Sequence, residues 1–156
     1  MTSARGQANQ KLYLARILLS AWREAIAAQQ LPVQVLTQAF LPAIRQHLGD
    51  AYGWFLLEVS GGDAAAQALP RNCGDLPAPA EGQVVAGEIR EFQQLETTGW
   101  LATMLQAEDA VSLSGTRSPG NLASATPHLL GPDDAETWLD NLAVLFERMS
   151  ESLDEY

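Results

Sequence analysis

The chain has few of the residues on which the commoner kinds of functional site are built. It contains one cysteine and two histidines in 156 residues. A single cysteine excludes an internal disulfide framework and every multi-cysteine zinc module. Glu-x-x-His pairs, His-Glu-x-x-His motifs, calcium loops and the glycine motifs that bind phosphates or dinucleotides do not occur either. The sequence therefore predicts neither a metal site nor a bound cofactor.

Long apolar runs are also missing. No stretch approaches the ~18 residues needed to span a bilayer, so we expect no membrane helix. Residues 1–11 lack the apolar core of a secretory signal peptide. A lone thiol fits a reducing compartment. These observations predict a soluble, cytoplasmic protein.

Basic charge is scarce, above all in the second half of the chain. Residues 1–78 carry six basic and five acidic side chains, whereas residues 79–156 carry three basic and fourteen acidic ones. The formal net charge of −10 repels phosphate backbones, and there is no basic cluster to displace their counterions. We therefore expect no nucleic-acid partner.

What the chain does have is apolar periodicity typical of helices. Hydrophobic residues make up 47% of the 156, which is enough for the core of one domain spanning residues 1–156. Apolar residues recur at alternating steps of three and four in residues 4–29, which predicts an amphipathic helix. The stripe consists of Ala8, Leu12, Ala15, Leu19, Trp22 and Ile26.

Three further segments share this period, and two of them contain a helix breaker. Residues 33–59 include Pro42, which predicts a bend or a helix that restarts there. Residues 88–110 are interrupted at 97–99, where Thr-Thr-Gly suggests a break with a new helix starting near Trp100. The last helix should begin at Pro132, because proline followed by two aspartates is typical of a helix start.

No window shows the alternation of a β-strand, so the sequence predicts an all-α protein. Four amphipathic segments pack most simply as an antiparallel up-down four-helix bundle. Two long loops, residues 61–87 and 112–131, would connect the segments.

The first helix has one mostly polar track, and we regard it as a candidate interaction face. An aromatic residue and two arginines lie on it, and these residue types are favoured at protein interfaces. The candidate face consists of Asn9, Tyr13, Arg16 and Arg23.

Few residues suggest catalysis. His47 and Asp50 have the spacing of a helical contact and could form a general base with its orienting carboxylate, although a boundary histidine beside a local acid explains them as well. Cys73 is the one thiol, and Arg71 would lower its pKa if the loop brought them together. No base for Cys73 is evident, so we expect the protein not to be an enzyme.

The tryptophans and two glycines allow other interpretations. The four segments carry one tryptophan each, at positions 22, 54, 100 and 138. They are expected in the core, and the alternative is a pocket for a small apolar ligand within the bundle. Gly49 and Gly53 have the spacing that permits close helix packing, either within the chain or between two copies in a homodimer.

Three stretches resemble a small family of uncharacterised bacterial proteins. They are Ala-Asn-Gln-Lys-Leu-Tyr-Leu-Ala-Arg at 8–16, His-Leu-Gly-Asp-Ala-Tyr at 47–52 and Gly-Trp-Leu-Ala at 99–102. The resemblance implies a bacterial, cytoplasmic, all-helical protein of unknown function. It supplies no catalytic or binding residues.

These observations favour a noncatalytic protein-interaction or scaffold module acting through the polar track of the first helix. The alternative is a binding module for a small apolar ligand in the bundle core. A third hypothesis is an acidic decoy for a basic partner, which predicts association that weakens steeply with salt.

Overall fold

The computed structural model describes residues 3–61, 68–77, 84–113 and 130–155, with side chains from 107 to 113 outside the description. These residues form five α-helices and one short 3-10 turn, and no strand occurs among them. The helices are α1 (Ala4–Ala28), α2 (Val33–Ser60), α3 (Gly87–Thr98), α4 (Trp100–Leu113) and α5 (Pro132–Asp154). The all-α prediction is confirmed.

The number of helices differs from the four that the periodicity predicts. Gly99 divides the third segment into α3 and α4, and its backbone N–H closes α3 on Leu95 O at 3.0 Å. A Cβ at this glycine would lie 2.9 Å from Leu95 Cδ2 and 3.1 Å from the Leu95 carbonyl oxygen. The break at 97–99 is therefore real, and the four-helix up-down bundle is replaced by a five-helix arrangement.

Local signals account for the helix ends. The Ser3 hydroxyl oxygen accepts a hydrogen bond from Gly6 N at 3.0 Å and caps α1. At its other end, Gln29 adopts a left-handed conformation (φ 54°), so α1 ends before Pro32 is reached. The Asp134 carboxylate accepts from Gly131 N at 2.8 Å at the start of α5, where Pro132 is the first helical residue, as predicted.

Pro42 does not start a new helix. The α2 helix runs without interruption from Val33 to Ser60. Proline cannot donate to the carbonyl four residues earlier, which is that of Gln38. Both residues are exposed, so water can satisfy this carbonyl and the helix continues.

Side-chain pairs between helices show which helices run antiparallel to each other. The start of α1 meets the end of α5 through Arg5 and Asp154, and its end meets the start of α5 through Arg23 and Asp133, so α1 and α5 are antiparallel. Pairs between α3 and α5 join Glu91 to Arg148 and Glu88 to Ser152, which makes these two helices antiparallel as well.

Aromatic rings join α2, α3 and α5 in the core. Phe55 stacks on Phe146 at 4.1 Å between ring centroids, and Phe92 packs edge-on against Phe55 at 6.2 Å and against Tyr52 at 5.2 Å. All four rings are at most 3% exposed. Such contacts add to the stabilisation from burial alone.

The structure describes only parts of the two predicted loops, and their ends lie within two residues of the predicted bounds. In 61–87, the turn Cys73–Asp75 is helical and α3 begins at Gly87. In 112–131, α4 continues to Leu113 and α5 begins at Pro132, and residues 114–129 lie outside the described part.

Candidate functional site

A groove of about 470 Å³ runs along the seam between α1 and α5. We call it the α1/α5 groove. Buried Leu12 and Phe146 border it from the core side, and polar side chains from both helices form its rims. The lining residues are Arg5, Asn9, Leu12, Tyr13, Arg16, Ala143, Phe146, Glu147, Ser150, Glu151 and Asp154.

Three of the four residues on the predicted interaction face lie in this groove. Asn9, Tyr13 and Arg16 form its α1 rim, and Tyr13 is 63% exposed. Arg23 lies outside it, near the end of α1, and its guanidinium pairs with Asp133 Oδ1 at 2.9 Å and with Glu136. One part of the polar track therefore lines the groove, and the other part, Arg23, is paired with acidic residues of α5.

The opposite end of the seam is also closed by an ion pair. Arg5 donates two hydrogen bonds of 3.1 Å to the Asp154 carboxylate and lies 3.2 Å from Glu58 Oε1. The hydrogen bond to Asp154 is the main reason why the pKa of Arg5 is raised above its usual value. This bidentate geometry fixes the register of α1 on α5.

Between these two closed ends, the charged side chains have no partners. Arg16, Glu147 and Glu151 form no ion pair or side-chain hydrogen bond with any residue that the structure describes. The middle of the seam therefore presents one positive and two negative groups beside an exposed tyrosine.

A second polar site lies between α2, α3 and the 68–77 segment, with Tyr52 and Cys73 buried and Glu96 half-buried. We call it the Tyr52 cluster, and it comprises Tyr52, Cys73 and Glu96. The Tyr52 hydroxyl donates to Glu96 Oε1 at 2.5 Å, and the backbone N–H of Cys73 donates to the same oxygen at 2.9 Å. The Cys73 Sγ lies 3.6 Å from the Tyr52 hydroxyl and 3.9 Å from Ile89 O. One carboxylate thus ties the segment to two helices.

The environment of Cys73 is opposite to what a nucleophile needs. Burial, above all, raises the pKa of the thiol to about 11, although its contact with Tyr52 acts in the other direction. Arg71, which would lower that pKa if the loop brought it to the thiol, is exposed and is not among the groups that affect the thiol. Burial and the hydrogen bond to Glu96 likewise raise the pKa of the Tyr52 hydroxyl far above its usual value. Both groups are held in their neutral forms.

His47 and Asp50 are on the same helix but do not form the acid–base pair that their spacing would allow. Asp50 Oδ1 accepts from Gln46 Nε2 at 3.0 Å, and His47 Nδ1 is buried with no hydrogen-bond partner among the described residues. Burial is the main cause of the lowered pKa of His47, and the charge of Lys11 is the second. The charge of Asp50 acts in the other direction and offsets them only partly. This geometry lacks an oriented general base.

The tryptophans and glycines serve packing. Trp22 and Trp138 are at most 4% exposed, and Trp54 and Trp100 pack at the edge of the core. No tryptophan lines the α1/α5 groove. A Cβ on Gly53 would lie 2.5 Å from Pro70 O, so this glycine allows the 68–77 segment to approach α2, whereas Gly49 has open space around it.

Sequence reasoning did not identify Tyr52, Glu96 or the α5 rim of the groove. Glu96 is 23 residues from Cys73 and 44 from Tyr52, and its surroundings in the sequence are those of a solvated helix face. The glutamates of the α5 rim also look like ordinary surface residues. The periodicity of α5 could have indicated that Glu147 and Glu151 share one face, but not which helix faces them.

Within the described ranges, no group of three or more potential metal-binding side chains comes together. Among the same residues, no helix combines the length and apolar character that crossing a membrane requires.

Comparisons with known proteins place the chain in a family but not near a characterised relative. No curated protein and no solved structure matches it. A family of unknown function, DUF6586, matches residues 1–156. The resemblance noted at 8–16, 47–52 and 99–102 therefore extends over the whole chain, which belongs to the family of unknown function DUF6586.

Proposed function

We propose that this protein is a noncatalytic protein-interaction module whose partner docks in the α1/α5 groove. One observation carries the proposal. Among the described residues, Arg16, Glu147 and Glu151 have no partner, and the groove that they line lies on a seam whose two ends are closed by ion pairs between the same helices. Polar groups of both signs around a partly apolar surface are the composition of a protein-binding patch.

Tyr13 is the expected anchor of the interaction. It is 63% exposed at the rim of the groove. Tyrosine loses little conformational entropy when it is buried, and with arginine it is enriched among residues that dominate binding energies. The contact of Tyr13 and Arg16 with the partner should therefore contribute more than that of Asn9.

The Tyr52 cluster and His47 support a noncatalytic role. Cys73 and Tyr52 are kept neutral by burial, and His47 has no orienting acid. A thiol or hydroxyl becomes a nucleophile when a nearby base, a lowered pKa or a bound metal activates it. In the Tyr52 cluster the pKa of both groups is raised instead, which keeps them protonated.

The proposal includes a cytoplasmic location and a protein partner, with a second copy of the chain as one candidate. The net charge of −10 disfavours nucleic acid, because phosphate backbones would be repelled. A basic protein would be attracted by the same charge, and its association would weaken with added salt.

The test is quantitative capture from a lysate of the source organism with the double variant Tyr13→Ala/Arg16→Ala. The control is Val84→Ala/Arg90→Ala, which likewise truncates one large exposed hydrophobic residue and one exposed arginine, both outside the groove. We expect the captured amount of one or more proteins to fall about tenfold or more with the first variant and to stay unchanged with the second. An unchanged set of captured proteins with both variants would refute the proposal.

The alternative, binding of a small apolar ligand in the core, has a separate test. Native mass spectrometry of gently purified protein reports bound mass and oligomeric state in one spectrum. An additional mass of a few hundred daltons that persists in the Tyr13→Ala/Arg16→Ala variant would favour the alternative.

A further inference from the structure

A second pocket, of about 450 Å³, lies between α2, α4 and the 68–77 segment, away from the α1/α5 groove. Its α2 side presents Arg45, Gln46 and Asp50. The segment contributes Arg71 and Asn72, and α4 contributes Leu105. Two of the nine basic residues of the chain, Arg45 and Arg71, border this pocket.

The segment that carries Arg71 is rigidly positioned. Its Cys73 N–H is bound to Glu96 at 2.9 Å, and the Arg71 N–H is bound to Asp75 Oδ2 at 2.9 Å. Asn72 Oδ1 accepts from Asp75 N at 3.2 Å and caps the short turn. Pro70 O lies against α2 where only a glycine, Gly53, allows it. These four contacts fix the backbone beside the pocket.

The Arg71 side chain takes part in none of these four contacts. It is exposed, and its guanidinium has no hydrogen bond or ion pair with any residue in the described ranges. A segment held in place by a half-buried carboxylate thus presents a guanidinium without a partner among the described residues at the rim of a pocket. Functional side chains are commonly carried this way, on irregular segments fixed by a rigid scaffold.

The chemistry of the lining indicates what would fit. A guanidinium is planar and recognises carboxylate and phosphate groups through paired N–H donors. Leu69 and Leu105 are half-buried and supply an apolar wall. The lining also contains the Asp50 carboxylate, which accepts from Gln46 Nε2 at 3.0 Å.

We propose that this pocket binds a small organic anion, with its carboxylate or phosphate group on Arg71 and its apolar part against Leu69 and Leu105. The proposal is independent of the interaction role of the α1/α5 groove. The overall charge of −10 opposes anions at long range, but at physiological salt that field decays over about 8 Å, so the local guanidinium decides.

The test is an NMR titration of the whole ¹⁵N-labelled chain with sodium hexanoate, inorganic phosphate and neutral hexanamide. We expect saturable shifts of the Gly49, Arg71 and Asn72 amides with at least one of the two anions, and none with hexanamide. The tighter of the two anions identifies the head group. The variant Arg71→Gln should weaken the binding about tenfold, as loss of a charge-assisted hydrogen bond does.

The control variant is Arg90→Gln, an exposed arginine on α3 with the same change in charge. It should bind like the unaltered chain, and urea unfolding should show both variants to be folded. The proposal is overturned by any of three results: no saturation below about 100 mM of either anion, equal binding of hexanamide, or equal weakening by both variants.

Discussion

The α1/α5 groove and the Tyr52 cluster use polar side chains in opposite ways. In the cluster, one carboxylate oxygen accepts two hydrogen bonds, and the participating hydroxyl and thiol are buried and neutral. In the groove, Arg16, Glu147 and Glu151 have no partner among the described residues. Buried polar groups are costly unless satisfied, whereas exposed unpaired charges cost little. The difference separates residues that hold the fold from residues that are available to a partner.

Removing the shared acceptor of the cluster should have the largest effect on stability. Glu96→Ala leaves the Tyr52 hydroxyl and the Cys73 amide without their acceptor, so we expect a loss of about 2–4 kcal/mol in the free energy of unfolding by urea. The control is Glu91→Ala on the same helix, which breaks only a surface ion pair with Arg148 and should cost less than about 1 kcal/mol. Equal losses would show that the cluster is not a structural anchor.

Two glycines one helical turn apart should respond with opposite signs. In Gly53→Ala, the new methyl group would lie 2.5 Å from Pro70 O and displace the 68–77 segment, at a cost of about 1–3 kcal/mol. In Gly49→Ala, nothing lies within 4 Å, and the gain in helix propensity should stabilise the protein by about 0.5–1 kcal/mol. Thermal and urea unfolding of both variants measure the contrast, which disappears if the segment does not pack against Gly53.

The cluster should also make stability fall at high pH. The pKa of Cys73 is about 11 in the folded protein against an ordinary value of 9.0, so folding favours the protonated thiol. The contribution of the protonated thiol to the free energy of unfolding is complete below about pH 9 and is lost as the pH rises through 11. The stability difference between the unaltered chain and Cys73→Ala should therefore shrink from pH 8 to pH 11. A difference that stays constant contradicts a buried neutral thiol.

The smallest changes in stability are expected on the α1 surface. Arg23→Ala removes two exposed ion pairs with α5, so its urea midpoint should fall slightly at low salt and recover at high salt. Arg16→Ala should not change the midpoint at either salt concentration, because Arg16 has no partner within the described chain. If Arg16→Ala destabilises the protein as much as Arg23→Ala, the groove is not open.

The comparison also shows what the sequence could and could not predict. The steps of three and four in 4–29 located α1 and the polar track, because burial of one face fixes this period. The same pattern could not distinguish Arg16 from Arg23. Arg23 forms ion pairs with Asp133 and Glu136, which are more than 100 residues away in the sequence. Only the packing of α5 against α1 brings these residues together.

The Tyr52 cluster was hidden for a similar reason. A lone thiol such as Cys73 is conspicuous in a sequence, but the sign of its pKa shift depends on burial between α2 and α3. Glu96 has no local feature that sets it apart from the other acids of the helix. Composition and periodicity report which face of a helix is buried, and they do not report which distant polar groups meet there.

The most direct test of the account is site-specific photocross-linking at two exposed positions. A photoreactive phenylalanine analogue replaces Tyr13 in the groove in one sample and Val84, 78% exposed and outside the groove, in the other. After illumination in a lysate of the source organism, we expect discrete cross-linked products from position 13 and none of them from position 84. The same products from both positions, or none from position 13, would contradict the α1/α5 groove as the interaction surface.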